Sequence, residues 1–101
     1  MSVIDEIAAE RRRQIEVEGW IPEHDDKHDD WSLCRAAACY ADVRSVEPPA
    51  AWPWSKKWWK PKSRRRNMIR SAALLIAEIE RMDRLAHGVH ERELDDMLGG
   101  R

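Results

Sequence analysis

The sequence predicts an all-α fold, a single domain over residues 1–101 built as a small bundle of three main helices plus a short C-terminal helix, with a long Trp/Pro-rich loop. Three observations lead there. Apolar residues recur at helical spacing in three separate stretches, and no stretch alternates with the period of two that a half-buried strand needs. A length of 101 residues suits one modest core and is too short for two.

The first helix is expected over about residues 3–18, where Ile4, Ile7, Ala8, Arg11 and Ile15 share a face and Gly19 follows as a stop. Its apolar stripe is narrow and Arg11 interrupts it, so the helix lies at the edge of the core or Arg11 lines a pocket. Trp20, Ile21 and Pro22 then turn the chain through an acidic loop, residues 19–30. Asp29 or Asp30 can cap a second helix over about residues 31–44. Its Ala36, Ala37, Ala38, Cys39 and Ala41 allow close approach of another helix and make it the central, buried one. Cys34 and Cys39 stand five apart on that helix and point in different directions, so they read as packing residues rather than a disulfide.

Pro48 and Pro49 end the second helix and open a loop over residues 45–62. Ser63 is a candidate N-cap for a third helix over about residues 63–87, with Ile69, Ala72, Ala73, Ile76 and Ile79 at helical spacing and Leu74 and Leu75 widening the face. Gly88 is expected to stop it, leaving a short helix over about residues 89–98. Leu74, Leu75 and Met82 extend beyond one stripe, which implies that the bundle completes its core as a homo-oligomer.

Charge is abundant but balanced: 37% of residues are charged and the net charge is -1. Affinity for an anion must therefore come from arrangement. The arrangement is lopsided, because "EHDDKHDD" at 23–30 holds five acids and one lysine, whereas residues 56–70 hold eight bases and no acid. No apolar run approaches the length that spans a bilayer and the N-terminus lacks a signal-like apolar region, so a soluble, cytoplasmic protein with no membrane partner is expected.

The stretch "WPWSKKWWKPKSRRR", residues 52–66, sets Trp52, Trp54, Trp58 and Trp59 beside Lys60, Lys62, Arg64, Arg65 and Arg66. Arginines in a first helical turn oppose the macrodipole, and a bound phosphate would relieve that. Tryptophan faces offer stacking for a base. These residues, with Arg11 and Tyr40 as further pocket candidates, form a predicted ligand site for a nucleotide-like small molecule; a nucleic-acid strand fits less well, because no base-reading helix follows. The competing reading is structural. Phenylalanine is absent and Tyr40 is the sole tyrosine, so tryptophan must do the aromatic packing, with acids of the 23–30 loop answering the arginines.

The acidic segment could hold a divalent metal through Glu23, His24, Asp25, Asp26 and His28, but its spacing matches neither an EF-hand nor "HExxH". Capping and charge pairing is the alternative. The all-α nucleoside triphosphate pyrophosphohydrolases hold Mg between an E-x-x-E pair and an E-x-x-D pair. The chain has E-x-x-D at Glu80 and Asp83 and again at Glu93 and Asp96 but no E-x-x-E, so a Mg-dependent hydrolase would need the 23–30 acids to complete its site. Otherwise no cofactor is implied. No glycine-flanked serine and no phosphate-cradling glycine loop is present for nucleophilic or P-loop chemistry.

The combination of Glu10, Arg11, Arg13, Gln14, "EGW" at 18–20, "EHDDKH" at 23–28, "AAACYA" at 36–41, "WPW" at 52–54, "WWKPK" at 58–62 and "AEIERMDR" at 77–84 resembles a group of small proteins encoded by bacteriophages and prophages. In that pattern a glycine and a glutamate precede the alanine-rich helix, where this chain has Trp31 and Ser32. A fainter similarity, carried by "EGW", Asp25, Asp26, His28 and "KPKSRRRN", is to the repeat domain of ryanodine receptors. The resemblance implies a viral accessory protein in the cytoplasm of a bacterial host. The expected function is non-enzymatic binding of a nucleotide-derived small molecule, sequestering a host immune signal; the alternatives are the hydrolase and a module that inserts its Trp-rich loop into a host protein.

Overall fold

The computed structural model describes residues 2–27 and 31–97, with side chains through Ala86. The described residues form α1 (Val3–Glu16), α2 (Pro22–Asp25), α3 (Ser32–Ala41), one 3-10 turn (Lys56–Trp58) and α4 (Arg64–Met97), with no strand among them. The all-α expectation holds. α3 and α1 both pack along α4, and α2 touches it.

Local chemistry accounts for the helix starts. Ser2 and Asp5 make a reciprocal capping box, and Asp5 and Glu6 place negative charge in the first turn of α1, where the macrodipole favours it. At the other end Gly19 takes φ 75°, which costs glycine little and lets the Trp20 amide return to the Gln14 carbonyl at 2.9 Å. Ser63 caps α4 as expected, its hydroxyl accepting from the Arg66 amide at 3.2 Å. Just upstream, Asn67 grips Lys62 through both main-chain groups at 2.7 and 3.1 Å, which fixes where the loop enters the helix.

The core lies between α3 and α4 and under the loop that joins them. Leu33, Ala36, Ala37 and Tyr40 of α3 meet Leu74 and Ala77 of α4, with Trp20, Trp52 and Trp59 completing the cluster. Small side chains let the backbones approach, and the Ser71 hydroxyl uses that proximity to donate to the Ala37 carbonyl at 2.6 Å.

α1 lies at the edge of the core, as its narrow stripe implied: Ile4 is 78% exposed, Ile7, Ala8 and Ile15 are half-buried, and the buried residues are Glu10, Arg11 and Gln14. α4 presents Arg66, Arg70 and Glu80 to α1, so the residues buried there are ion-pairing ones. Two expectations about helix ends need correction. The second helix is shorter than 31–44, ending at Ala41 where Asp42 leaves helical dihedrals and Val43 turns onto the core. Its proposed caps Asp29 and Asp30 lie outside the described residues; Trp31 occupies the N-cap position with φ 72°. Finally, α4 runs through Gly88 to Met97 as one helix of 34 residues. An interior glycine costs a helix only about 1 kcal/mol relative to alanine, and no proline follows to enforce a stop.

No helix among the described residues is long and apolar enough to cross a membrane.

Candidate functional site

The loop between α3 and α4 is held by aromatic contacts. Tyr40 stacks on Trp59 at 4.9 Å between ring centroids and meets the edge of Trp52 at 5.5 Å. Trp52 in turn packs edge-on against Trp54 at 5.4 Å, and Trp54 against Trp20 at 5.5 Å. The Trp20 ring lies parallel to the imidazole of His24, 6.4 Å away. This series of rings runs from the core to the surface and ends in a cleft of about 360 Å³ lined by Glu18, Trp20, His24, Trp54, Ser55 and Trp58.

Trp58 is the exposed wall of the cleft, with 38% of its surface open to solvent. The ammonium groups of Lys57 and Lys60 each lie 5.5 Å from its ring centroid. Cations at that range are held by the ring's negative face, so Trp58 keeps positive charge beside it.

Tyr40 and Arg70 position this wall from behind. The Tyr40 hydroxyl donates to the Trp58 carbonyl at 3.3 Å and accepts from the Lys60 amide at 3.0 Å. Arg70 donates to the Lys60 carbonyl at 2.6 Å while its guanidinium lies over the Tyr40 ring. Helices α3 and α4 thus hold the backbone of residues 58–60 on both sides. The opposite wall is held by Arg11, which donates to the Trp20 carbonyl at 3.3 Å and pairs with Asp25 at 2.8 Å. Asp25 Oδ1 lies 3.5 Å from His24 Nδ1, which links the buried pair to the imidazole in the cleft.

The predicted ligand residues divide into five groups. Trp54 and Trp58 line the cleft, with Lys60 beside them. Trp52 and Trp59 are core residues whose faces are covered by Tyr40 and by each other, which is the structural reading of tryptophan. Lys62 and Arg64 border a separate hollow with Tyr40 and Asn67. Arg65 and Arg66 are answered by Glu6 and Glu10 of α1, and Lys56 by Glu47. Arg11 and Tyr40 line no cleft wall directly; they support it.

Glu10 is the centre of the α1–α4 junction. Its carboxylate, wholly buried, accepts from Arg13 at 2.8 Å through both oxygens, from Gln14 at 3.3 Å and from Arg66. Burial pushes this carboxyl up, but the Arg13 hydrogen bond and the charges of Arg13, Arg66 and Arg70 outweigh it and hold the group below its ordinary value. The hydrogen bond from Arg65, with its charge, likewise lowers Glu6.

The metal candidates do not converge. Asp25 is taken by Arg11, as is Glu80 at 3.1 Å, and Asp26 is taken by Arg84 at 2.7 Å, whose own pKa this hydrogen bond raises. Glu23 and Asp83 are exposed, and His28 lies outside the described residues. Among the described residues no group of three or more histidine, cysteine or acidic side chains could hold a metal ion.

Sequence reasoning missed Trp20, Ser55, Glu18 and Lys57 as site residues and read His24 as a metal ligand. The signal for Trp20 was its place directly after the Gly19 turn; its contact with Trp54, 34 positions on, leaves no local trace. No protein-family model, no curated protein and no solved structure matches the chain.

Proposed function

We propose that this protein is a non-enzymatic binding protein for a nucleotide-derived small molecule. A planar base enters between Trp20, Trp54 and Trp58, and Lys57 and Lys60 meet the phosphate. The observation that carries this reading is the half-open Trp58 with two ammonium groups at its ring, forming one wall of an otherwise aromatic cleft. The cleft volume falls within the about 300–1,000 Å³ usual for small-molecule sites. Stacking contributes about 1–3 kcal/mol per base, and His24, Ser55 and Glu18 supply polar groups for its edges.

Binding is favoured over hydrolysis because Asp25, Asp26 and Glu80, the acids a Mg site would need, are each engaged by an arginine. Sequestration of a nucleotide signal in a bacterial host requires affinity alone, which accords with the resemblance to phage-encoded proteins.

The test is a thermal-shift screen of the purified protein against linear and cyclic nucleotides, each with and without Mg, followed by calorimetric titration of the best compound. A ligand at a hundred times its Kd stabilises the fold by about 2.7 kcal/mol, a readily visible shift. Trp58→Ala and Lys60→Ala proteins should melt near the parent temperature and lose at least about tenfold in affinity, which corresponds to 1.4 kcal/mol. A silent screen, or variants that bind as the parent does, sinks the proposal. Mg-dependent product formation would replace it with the hydrolase.

A further inference from the structure

One helix is far longer than anything that covers it. α4 has 34 residues, against 14 in α1 and 10 in α3, so at 1.5 Å per residue it spans about 51 Å while its partners span about 21 and 15 Å. Helices in proteins are stabilised mainly by burial of an apolar face. Along the side of α4 turned away from Leu74 and Ala77, a second apolar stripe stands open: Met68, Leu75, Ile79 and Met82 are 46, 43, 56 and 54% exposed. Ala72 and Ala86 fill the remaining positions, giving steps of 4, 3, 4, 3 and 4 from Met68 to Ala86. That alternation is the seam of a coiled coil, and it is separate from the face that packs on α1 and α3.

We propose that a second copy of this chain covers this stripe, α4 against α4 and antiparallel, about a two-fold axis at Ile79. Ile79 then meets the partner's Ile79 and Ala72 the partner's Ala86, while Leu75 comes within one residue of the level of the partner's Met82.

Charge selects both the occupant and its direction. The start of α4 and the residues just before it carry Lys60, Lys62 and Arg64 beyond the Arg65 and Arg66 that α1 answers, while the end of the helix carries Glu91, Glu93, Asp95 and Asp96 against a single Arg92. No acid lies in its first turn and no base in its last, the reverse of what the macrodipole favours. Arg64 lies 15 residues before Ile79 and Leu94 lies 15 after it, so the two-fold brings each basic end level with an acidic end of the other copy. The dipoles run opposite ways as well. A parallel pair would set basic end on basic end and acidic on acidic. An isologous antiparallel contact closes at two copies, with the same patch used on both sides.

The experiment is sedimentation of the full chain at tens of micromolar, beside Ile79→Glu, together with cysteine cross-linking. The parent should sediment at twice the chain mass, and Ile79→Glu at half of that with an unchanged circular dichroism spectrum, since Ile79 lies outside the core. With Cys34 and Cys39 replaced by alanine, an equimolar mixture of Ala72→Cys and Ala86→Cys proteins should form a disulfide-linked pair on oxidation, and neither should do so alone. This arm stands even if Ile79→Glu does not fold. A monomeric parent would leave the stripe to a foreign helix and overturn the proposal. So would a dimer that survives Ile79→Glu, and so would cross-linking of Ala72→Cys to itself, which requires the parallel arrangement.

Discussion

The guanidinium of Arg11 lies 2.8 Å from the carboxylate of Asp25, and the two side chains are 8% and 0% exposed. The same guanidinium reaches the Trp20 carbonyl and Glu80, so one side chain ties α1, the turn before α2, and α4 together. A charged pair so buried is retained only when nearly every donor and acceptor is used. Removing Arg11 strands Asp25. Arg11→Met should therefore cost about 3–5 kcal/mol in urea denaturation. Arg11→Met with Asp25→Leu should recover a large part of that loss, because two apolar groups leave no uncompensated charge. An Arg11→Met protein within 0.5 kcal/mol of the parent, about the scatter of a surface substitution, would show that the pair does not hold the fold.

Acid should weaken the α1–α4 junction through Glu10. Its folded-state pKa lies below the ordinary value of 4.5, so the unfolded chain binds the proton more readily than the folded one. The stabilisation is complete above the ordinary value and is lost as pH falls through it toward the lowered one. Melting temperature should thus hold steady from pH 7 to about 5.5 and fall below about 4.5. Glu10→Gln should be less stable at neutral pH and show a shallower decline in acid. Parallel pH profiles for the two proteins would contradict the assignment.

Tyr40→Phe isolates the positioning of the cleft wall from its surface. The ring contacts with Trp52 and Trp59 stay, while the Lys60 amide loses its acceptor and the Trp58 carbonyl its donor. A buried donor without a partner costs about 1–3 kcal/mol. The variant should lose stability in that range and lose ligand affinity as well, although the hydroxyl lines no part of the cleft. Unchanged affinity would show that residues 58–60 hold their place without it.

Trp31 takes φ 72° with 70% of its surface exposed. A side chain in the left-handed region costs about 1–3 kcal/mol, and so exposed a ring regains little by burial. Trp31→Gly should raise stability by about 1 kcal/mol after glycine's greater unfolded-state freedom is subtracted. A destabilised variant would mean that the indole makes a contact worth more than the strain.

Much of the architecture was legible because its causes are local. Helical spacing marked α1, α3 and α4, and Ser63 marked the start of α4. A missing phenylalanine and a lone tyrosine made tryptophan the expected aromatic packer, as Trp52 and Trp59 are. The Gly88 stop failed because a single glycine only weakens a helix that packing can still carry.

Where the chain's causes act within a few residues, composition and spacing alone therefore determined the outcome: helix class and the Ser63 cap. Three things waited on distant parts meeting. The polar face of α1 turned inward because Arg66, Arg70 and Glu80 lie opposite it, 56 to 69 positions away. Four similar tryptophans were divided between core and cleft by what Tyr40 and Trp20 happened to cover. Asp25 and Asp26 of the acidic loop went to Arg11 and Arg84. Electrostatic pairing and ring stacking depend on separation in space, and separation along the chain carries almost no information about them.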